Sequence, residues 1–285
     1  MAISMTPTDQ ILTSFKTLWG ASGLPFQTGA KPAFEHPIFE QLIARLAQLC
    51  ATRSNGMLHG GNGVGKSYLI SSLIKDHLPE KRFAPVVLTH ATLSGSDLLR
   101  ALCRKLGVVP KLRRSDNVAG IVAAWQELAP RWPVLVLEEA QELSAVALEE
   151  LRLLSCSQLD ATIFTMLLVG DDSLPQKLQM GIFAPLRSRL GYCLRLSKLD
   201  PAQSRAYVVS RLKTCAIAGD VFAPEALELM VTSTGGNPRA INHLGQRSME
   251  LAAQRQSLEI KAEHVQESLD CLPWLAFDQS AHRES

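Results

Sequence analysis

Residues 60 to 67 read GGNGVGKS. Glycines at 60, 61, 63 and 65 free the backbone to turn successive N–H groups inward, the arrangement that cradles phosphate oxygens. Lys66 follows where an ammonium reaches the terminal phosphates, and Ser67 places a hydroxyl suited to magnesium at the start of a helix. The pattern therefore asks for a nucleoside triphosphate with Mg2+, held by Gly61, Asn62, Gly63, Val64, Gly65, Lys66, Ser67 and Tyr68. Such a site needs acids on a second strand, and PVLVLEEAQEL from Pro133 supplies Glu138 and Glu139 at the end of an apolar run. By position Glu138 would hold the metal through water, and Glu139 would polarise the attacking water.

Charge developing on the transferred phosphoryl group calls for arginine, and one donated by a neighbouring subunit is worth about 10³ to 10⁵ in rate. LRSRLG offers Arg187 and Arg189, either of which could serve or remain solvated surface. In GGNPRAIN, Asn237 is a helix N-cap and Pro238 the first helical residue, which sets Arg239 in the first turn. The helix dipole favours acids there, so a cation implies an anionic partner such as the γ-phosphate.

Short apolar runs alternate with helical periodicity around these residues: GMLHG then a helix from Lys66, PVVLTH then one from Ser94, PVLVLEE then one from Ser144, followed by ATIFTMLLVG and YCLRL. Alternation of this kind predicts an α/β domain, a parallel sheet covered by helices on both faces. Ile38, Phe39, Leu42, Ile43, Leu46 and Leu49 recur at three- and four-residue intervals, predicting a helix ahead of the loop. Beyond Pro201 the segments 201–216, 223–234, 238–253 and 261–270 are all helical in pattern, which predicts a small all-helical lid. The expected organisation is an N-terminal arm at 1–36, the nucleotide domain at 37–199, the lid at 200–272 and a tail at 273–285.

Of 285 residues, 46% are hydrophobic and 20% charged, which excludes a disordered chain, and a net charge of +2 confines any nucleic-acid contact to a local patch. Six scattered cysteines form no CxxC pair and are expected to be reduced core residues. No run approaches the roughly 18 apolar residues of a membrane span and no leader segment is present, so a cytoplasmic protein is expected.

Together the two acidic and glycine-rich motifs, the arginines at 187 and 189 and Arg239 resemble an AAA+ ATPase. The resemblance is closest to ExeA-type ATPases, through GASGLPF, His36 and GGNPRAIN, and it spans about residues 18 to 270. It implies ATP and Mg2+ as cofactors, Glu139 with Arg187 or Arg189 as catalytic groups, and Arg239 as the lid's phosphate sensor. Two positions depart from the family pattern. Glu138 stands where an aspartate is usual, and Asp171 stands after LLVG where relatives carry a neutral polar residue. Both are expected to slow hydrolysis.

Short members of this group resemble the ATPase subunits of transposition systems, the TniB, TnsC and IstB types. The function this implies is ATP-dependent assembly on double-stranded DNA without sequence preference, followed by recruitment of a transposase, with or without a separate target selector. The patch KLRRS, with Lys111, Arg113, Arg114 and Ser115, lies between two predicted helices close to Lys105 and is the expected phosphate-contacting surface; a solubilising loop is the alternative. An ATP shared between subunits makes a heterologous contact, giving a closed ring or an open filament of identical chains. Two other readings stand beside this one: a nucleotide-gated scaffold with little hydrolysis, and a secretion-associated ATPase without DNA affinity. The tail residues Trp274 and Phe277 would dock a partner or pack on the lid.

Overall fold

The computed structural model describes residues 7–27, 37–89, 94–156 and 162–274, so His36 and Phe277 lie outside the described residues. The chain divides into two compact units, one spanning 37–197 and the other combining 1–36 with 198–285.

The first unit is built on five parallel strands in the order β2-β3-β4-β1-β5. They are β1 (Asn55–His59), β2 (Phe83–Leu88), β3 (Trp132–Leu137), β4 (Thr165–Gly170) and β5 (Leu190–Arg195). Side chains alternate across each strand, and both faces are buried. Val134 and Val136 of β3 and Leu167 and Val169 of β4 join Leu42, Leu46, Leu49, Leu69 and Leu73 on one side. Leu135, Leu137, Met166 and Leu168 join Leu98, Leu102, Trp125, Leu148 and Leu151 on the other. This two-sided burial is why β3 and β4 are near-continuous apolar runs, whereas the edge strand β5 is largely exposed.

Helix α2 (Pro37–Ala51) buries the predicted stripe at Leu42, Ile43, Leu46 and Leu49, while Ile38 is 42% exposed. Helix α3 (Lys66–Ser72) continues as a π turn through His77. Helix α4 (Gly95–Lys105) is capped by Ser94, whose hydroxyl accepts from Asp97 N–H, and α6 (Ala145–Ser155) by Ser144 in the same way. Between them lies α5 (Arg114–Glu127), which begins earlier than expected: Arg114 and Ser115 are in its first turn, and Arg113 is its N-cap. Two short helices, α7 (Ser173–Gln179) and α8 (Ala184–Arg187), lead into β5.

The second unit contains α9 (Pro201–Thr214), α10 (Pro224–Thr234), α11 (Pro238–Gln254) and α12 (Ala262–Asp270), each within two residues of its predicted limits. It also takes up α1 (Pro7–Trp19), in the segment expected as an entry arm. Phe15 is fully buried and meets Trp19 edge-on at 5.1 Å, and the Trp19 indole donates to Leu258 O at 2.8 Å. Beyond α1, Phe26 packs edge-on against Phe222 at 6.2 Å, and buried Arg211 donates to Gln27 O at 2.7 Å. An amphipathic N-terminal helix thus completes a core that α9 to α12 would otherwise leave open.

Of the six cysteines, only Cys50, Cys103 and Cys215 are core residues; Cys156, Cys193 and Cys271 are exposed. Trp274 is 58% exposed.

Candidate functional site

The glycine-rich loop leaves the carboxyl end of β1 and enters α3. Its backbone geometry is one a side chain would oppose: at Gly60, where φ is +156°, an added Cβ would lie 2.1 Å from Leu196 O. Gly65 is the N-cap of α3 with φ +108°, a left-handed conformation that favours glycine. Lys66 is buried, and its ammonium donates to Gly60 O at 2.7 Å and Gly61 O at 3.0 Å. Asn62, Ser67 and Tyr68 are exposed at the loop's rim, and the Tyr68 ring lies 5.4 Å from that of Phe39 on α2. A buried ammonium among bare backbone amides fits a phosphate chain, whose oxygens would take over from the two carbonyls. Loop residues 61–68 lie together at the carboxyl end of β1, an inner strand of the parallel sheet.

Glu138 and Glu139 follow β3 directly. The Glu138 N–H donates to Leu88 O at 2.9 Å, so the β2–β3 ladder fixes the backbone at the first acid. Glu139 adopts a left-handed conformation (φ +51°, ψ +40°), a sharp turn that exposes its carboxylate. Among the described residues no three or more His, Cys, Asp or Glu side chains are grouped to hold a metal. Magnesium here would lean on Ser67, Glu138 and the phosphates themselves, the usual situation for this ion.

The turn after β4 touches both halves of this arrangement. Asp171 N–H donates to Gln141 Oε1 at 3.2 Å, and Gln141 Nε2 donates to Glu139 Oε2 at 2.8 Å. The Asp171 carboxylate accepts from Ser173 N–H at 2.9 Å, which holds the turn closed ahead of α7. Asp172 bonds His59 Nδ1 at 2.9 Å and lies 3.5 Å from Arg195 Nε, reaching the residue that precedes Gly60. Sequence reasoning missed Gln141, His59 and Asp172. The only signal was a glutamine two positions beyond the acid pair.

The two arginine candidates are exposed but engaged. Arg187 Nη1 donates to Leu178 O at 2.8 Å, and Arg189 holds Cys156 Sγ through Nη2 at 2.8 Å and Nε at 3.2 Å. Burial acts to raise the Cys156 thiol pKa, but the Arg189 and Ser155 hydrogen bonds together with the charges of Arg189 and Arg152 bring the thiol below its ordinary value. Arg239 belongs to the helical unit, exposed in the first turn of α11, where Asn237 Oδ1 accepts its N–H at 3.0 Å.

The basic patch is only partly available. Arg114 pairs bidentately with Glu150 of α6 at 2.6 and 2.7 Å, and Ser115 Oγ bonds Asp116. Lys105, Lys111 and Arg113 are exposed and make no ion pair among the described residues. Asn117, buried beneath them, accepts from Lys111 N–H at 2.7 Å and donates to Lys111 O at 2.9 Å, so the α4–α5 connection is held rigidly.

Strand order, phosphate loop and acidic strand end together define a P-loop domain of the AAA+ α/β type. Residues 49–178 match the family model described as an AAA domain. The chain is 27% identical over 261 residues to general secretion pathway protein A of Aeromonas hydrophila, covering 86% of this chain and 46% of that protein. It thus spans just under half the length of that relative. Among solved structures it is similar to Cdc6p of Pyrobaculum aerophilum, with TM-score 0.71 and 20% identity over 86% of this chain and 70% of the other. It is similar too to the ORC1 protein of Aeropyrum pernix in complex with DNA, with TM-score 0.67 and 15% identity over 86% and 68%. These structural likenesses establish the fold.

Proposed function

We propose that this chain is an ATP-hydrolysing AAA+ switch that assembles with copies of itself and acts on double-stranded DNA. The observation that carries the nucleotide half is the buried Lys66 ammonium seated inside a glycine loop after β1, with two acids at the same end of β3, one strand removed. Magnesium, when bound, supplies charge neutralisation across the terminal phosphates. The loop amides of Gly61 to Lys66 hold the phosphate chain, and Lys66 exchanges its two carbonyls for phosphate oxygens. Ser67 and Glu138 orient the metal, and Glu139 takes up the proton of the attacking water. Arg187 or Arg189 reaches a neighbouring copy's site after releasing Leu178 O or Cys156, and Arg239 responds to nucleotide from the helical unit. ATP bridging two copies favours assembly, and its hydrolysis favours release.

The DNA half rests on Lys105, Lys111 and Arg113, cations on a rigid connection that would meet phosphates without reading bases. Arg114 and Ser115 contribute less, because their side chains already have partners. Recruitment of a transposase is the role implied by the sequence resemblance. A second reading, a secretion-associated ATPase, is favoured by the likeness to the Aeromonas secretion protein.

Binding to a random-sequence duplex with ATP, ADP or no nucleotide, across a salt series and with assembly size followed in parallel, separates the two. Large assemblies on DNA with ATP alone, weakening steeply as salt rises, are expected. Equal and negligible DNA binding in all three states at low salt would refute the DNA reading and leave the secretion-associated one.

A further inference from the structure

We infer that Gln141 is a positioning residue for hydrolysis, coupling the Glu139 carboxylate to the Asp171–Asp172 turn; this rests on the ATPase reading above. Gln141 lies in the single 3-10 turn Ala140–Glu142 that follows β3. Its amide makes two bonds that demand opposite ends of the group. Only the NH2 can donate to the Glu139 carboxylate at 2.8 Å, and only the carbonyl oxygen can accept the Asp171 N–H at 3.2 Å. The hydrogen-bond partners therefore fix which way the amide faces.

The seat of Gln141 is built to hold it. Lys177 of α7 donates to Gln141 O at 2.6 Å and to Leu143 O at 2.5 Å, clamping the turn's backbone to α7. Gly170 ends β4 directly against the side chain, where a Cβ would lie 2.7 Å from Gln141 Oε1. Bare backbone at 170 is thus what lets the glutamine reach both partners. The turn it contacts extends the chain of contacts further. Asp172 bonds His59 Nδ1 at 2.9 Å, and His59 immediately precedes the phosphate loop.

Hydrogen bonds on either side of the Asp171–Asp172 peptide unit therefore link the entry of the phosphate loop at His59, through Asp172 and then Asp171, to Gln141 and Glu139. Glu139 is exposed and stands on a left-handed turn, so little else among the described contacts selects its rotamer. Gln141 sets where the carboxylate points, and a movement of the turn after β4 redirects it. Misplacing a reacting group by about 1 Å costs about a hundredfold in rate, so loss of this bond should be visible in turnover rather than in nucleotide affinity.

The test uses the full chain carrying Gln141→Glu, Gln141→Ala or Glu139→Gln, with steady-state ATP hydrolysis, binding of a fluorescent ATP analogue and thermal melting measured on each. Gln141→Glu keeps the side chain's shape and its acceptor for Asp171 N–H, but replaces the donor facing Glu139 with a carboxylate. A packing role survives that change and a positioning role does not. We expect both Gln141 variants to lose kcat by about tenfold to a hundredfold with analogue affinity within about threefold of wild type. In the Glu139→Gln background, adding Gln141→Glu should bring no further loss, because the two act as one unit. Wild-type kcat in Gln141→Glu, with Glu139→Gln inactive, would overturn the inference and leave the ATPase reading intact. A hydrolysis rate unaffected by Glu139→Gln would overturn both.

Discussion

Replacing Glu138 by aspartate should accelerate hydrolysis. The backbone at 138 cannot shift to absorb a change in side-chain length, because its N–H is bonded to Leu88 O at 2.9 Å and Leu137 before it is buried. The glutamate therefore carries its carboxylate about 1.5 Å further from the strand than an aspartate would. Magnesium holds its ligands and waters at about 2.0–2.1 Å in a nearly regular octahedron, so the extra reach must be taken up by bending the side chain or displacing a ligand water. If a displacement of about 1 Å at the reacting centre costs about a hundredfold, partial accommodation leaves an expected gain of about tenfold to a hundredfold in kcat. That corresponds to about 1.4–2.7 kcal/mol of barrier. The assay is steady-state phosphate release at saturating ATP and magnesium for wild type, Glu138→Asp and Glu139→Gln, the last giving the background rate. Affinity for ATP should change little, since Lys66 and the loop amides hold most of the phosphate chain. A folded Glu138→Asp protein that binds ATP as wild type does and turns over no faster would refute the metal-geometry argument.

Gly60→Ala should destabilise the sheet unit by more than about 2 kcal/mol and abolish nucleotide binding, because its Cβ would meet Leu196 O at 2.1 Å while Leu196 N–H is tied to His59 O at 2.8 Å. Gly61→Ala, whose Cβ finds Val64 at 3.7 Å, should melt near wild type; equal melting temperatures for the two variants would contradict the steric account. At Cys156, burial raises the thiol pKa, but the Arg189 and Ser155 hydrogen bonds together with the Arg189 and Arg152 charges bring it below the ordinary value, so thiolate forms at lower pH than in an ordinary cysteine. Iodoacetamide labelling followed by mass spectrometry should show the Cys156 rate rising at lower pH than that of Cys193, whose thiol burial pushes up. Arg189→Ala should move the Cys156 profile toward higher pH, and an unchanged profile would show that the guanidinium does not hold the sulfur in solution.

The sheet was legible because its inner strands are buried on both faces. Runs such as Val134 to Leu137 and Met166 to Val169 have no polar alternation, and β-branched and leucine residues bounded by Gly and Pro leave little else for them to be. The helical unit was legible through its apolar periodicity and, at α11, through Asn237 with Pro238, a helix start marked by chemistry local enough to see in one dimension. Long-range packing was not. The core position of Phe15 depends on partners some 200 residues later, and a weakly amphipathic segment carries no record of them. Ile38 kept the stripe's period yet is exposed, because period reports the face and not where the neighbouring element stops.

The same division runs through the candidate site. Glycines at 60 to 65, Lys66 and the acid pair announce themselves because phosphate chemistry needs those residue types at fixed spacing on one strand-to-helix turn. Charge on the α4–α5 connection was visible as composition, but its neutralisation at Arg114 was not, since Glu150 lies on another helix. Gln141, Asp172 and His59 are ordinary residues in the sequence, and their significance comes from β1, β3 and β4 being adjacent in the sheet. Strand order places the ends of β3, β4 and β1 side by side, and that juxtaposition lets one amide serve both the acid after β3 and the backbone after β4. Residues that perform chemistry are thus constrained by local spacing, whereas residues that position them are constrained by topology, which a linear motif does not record.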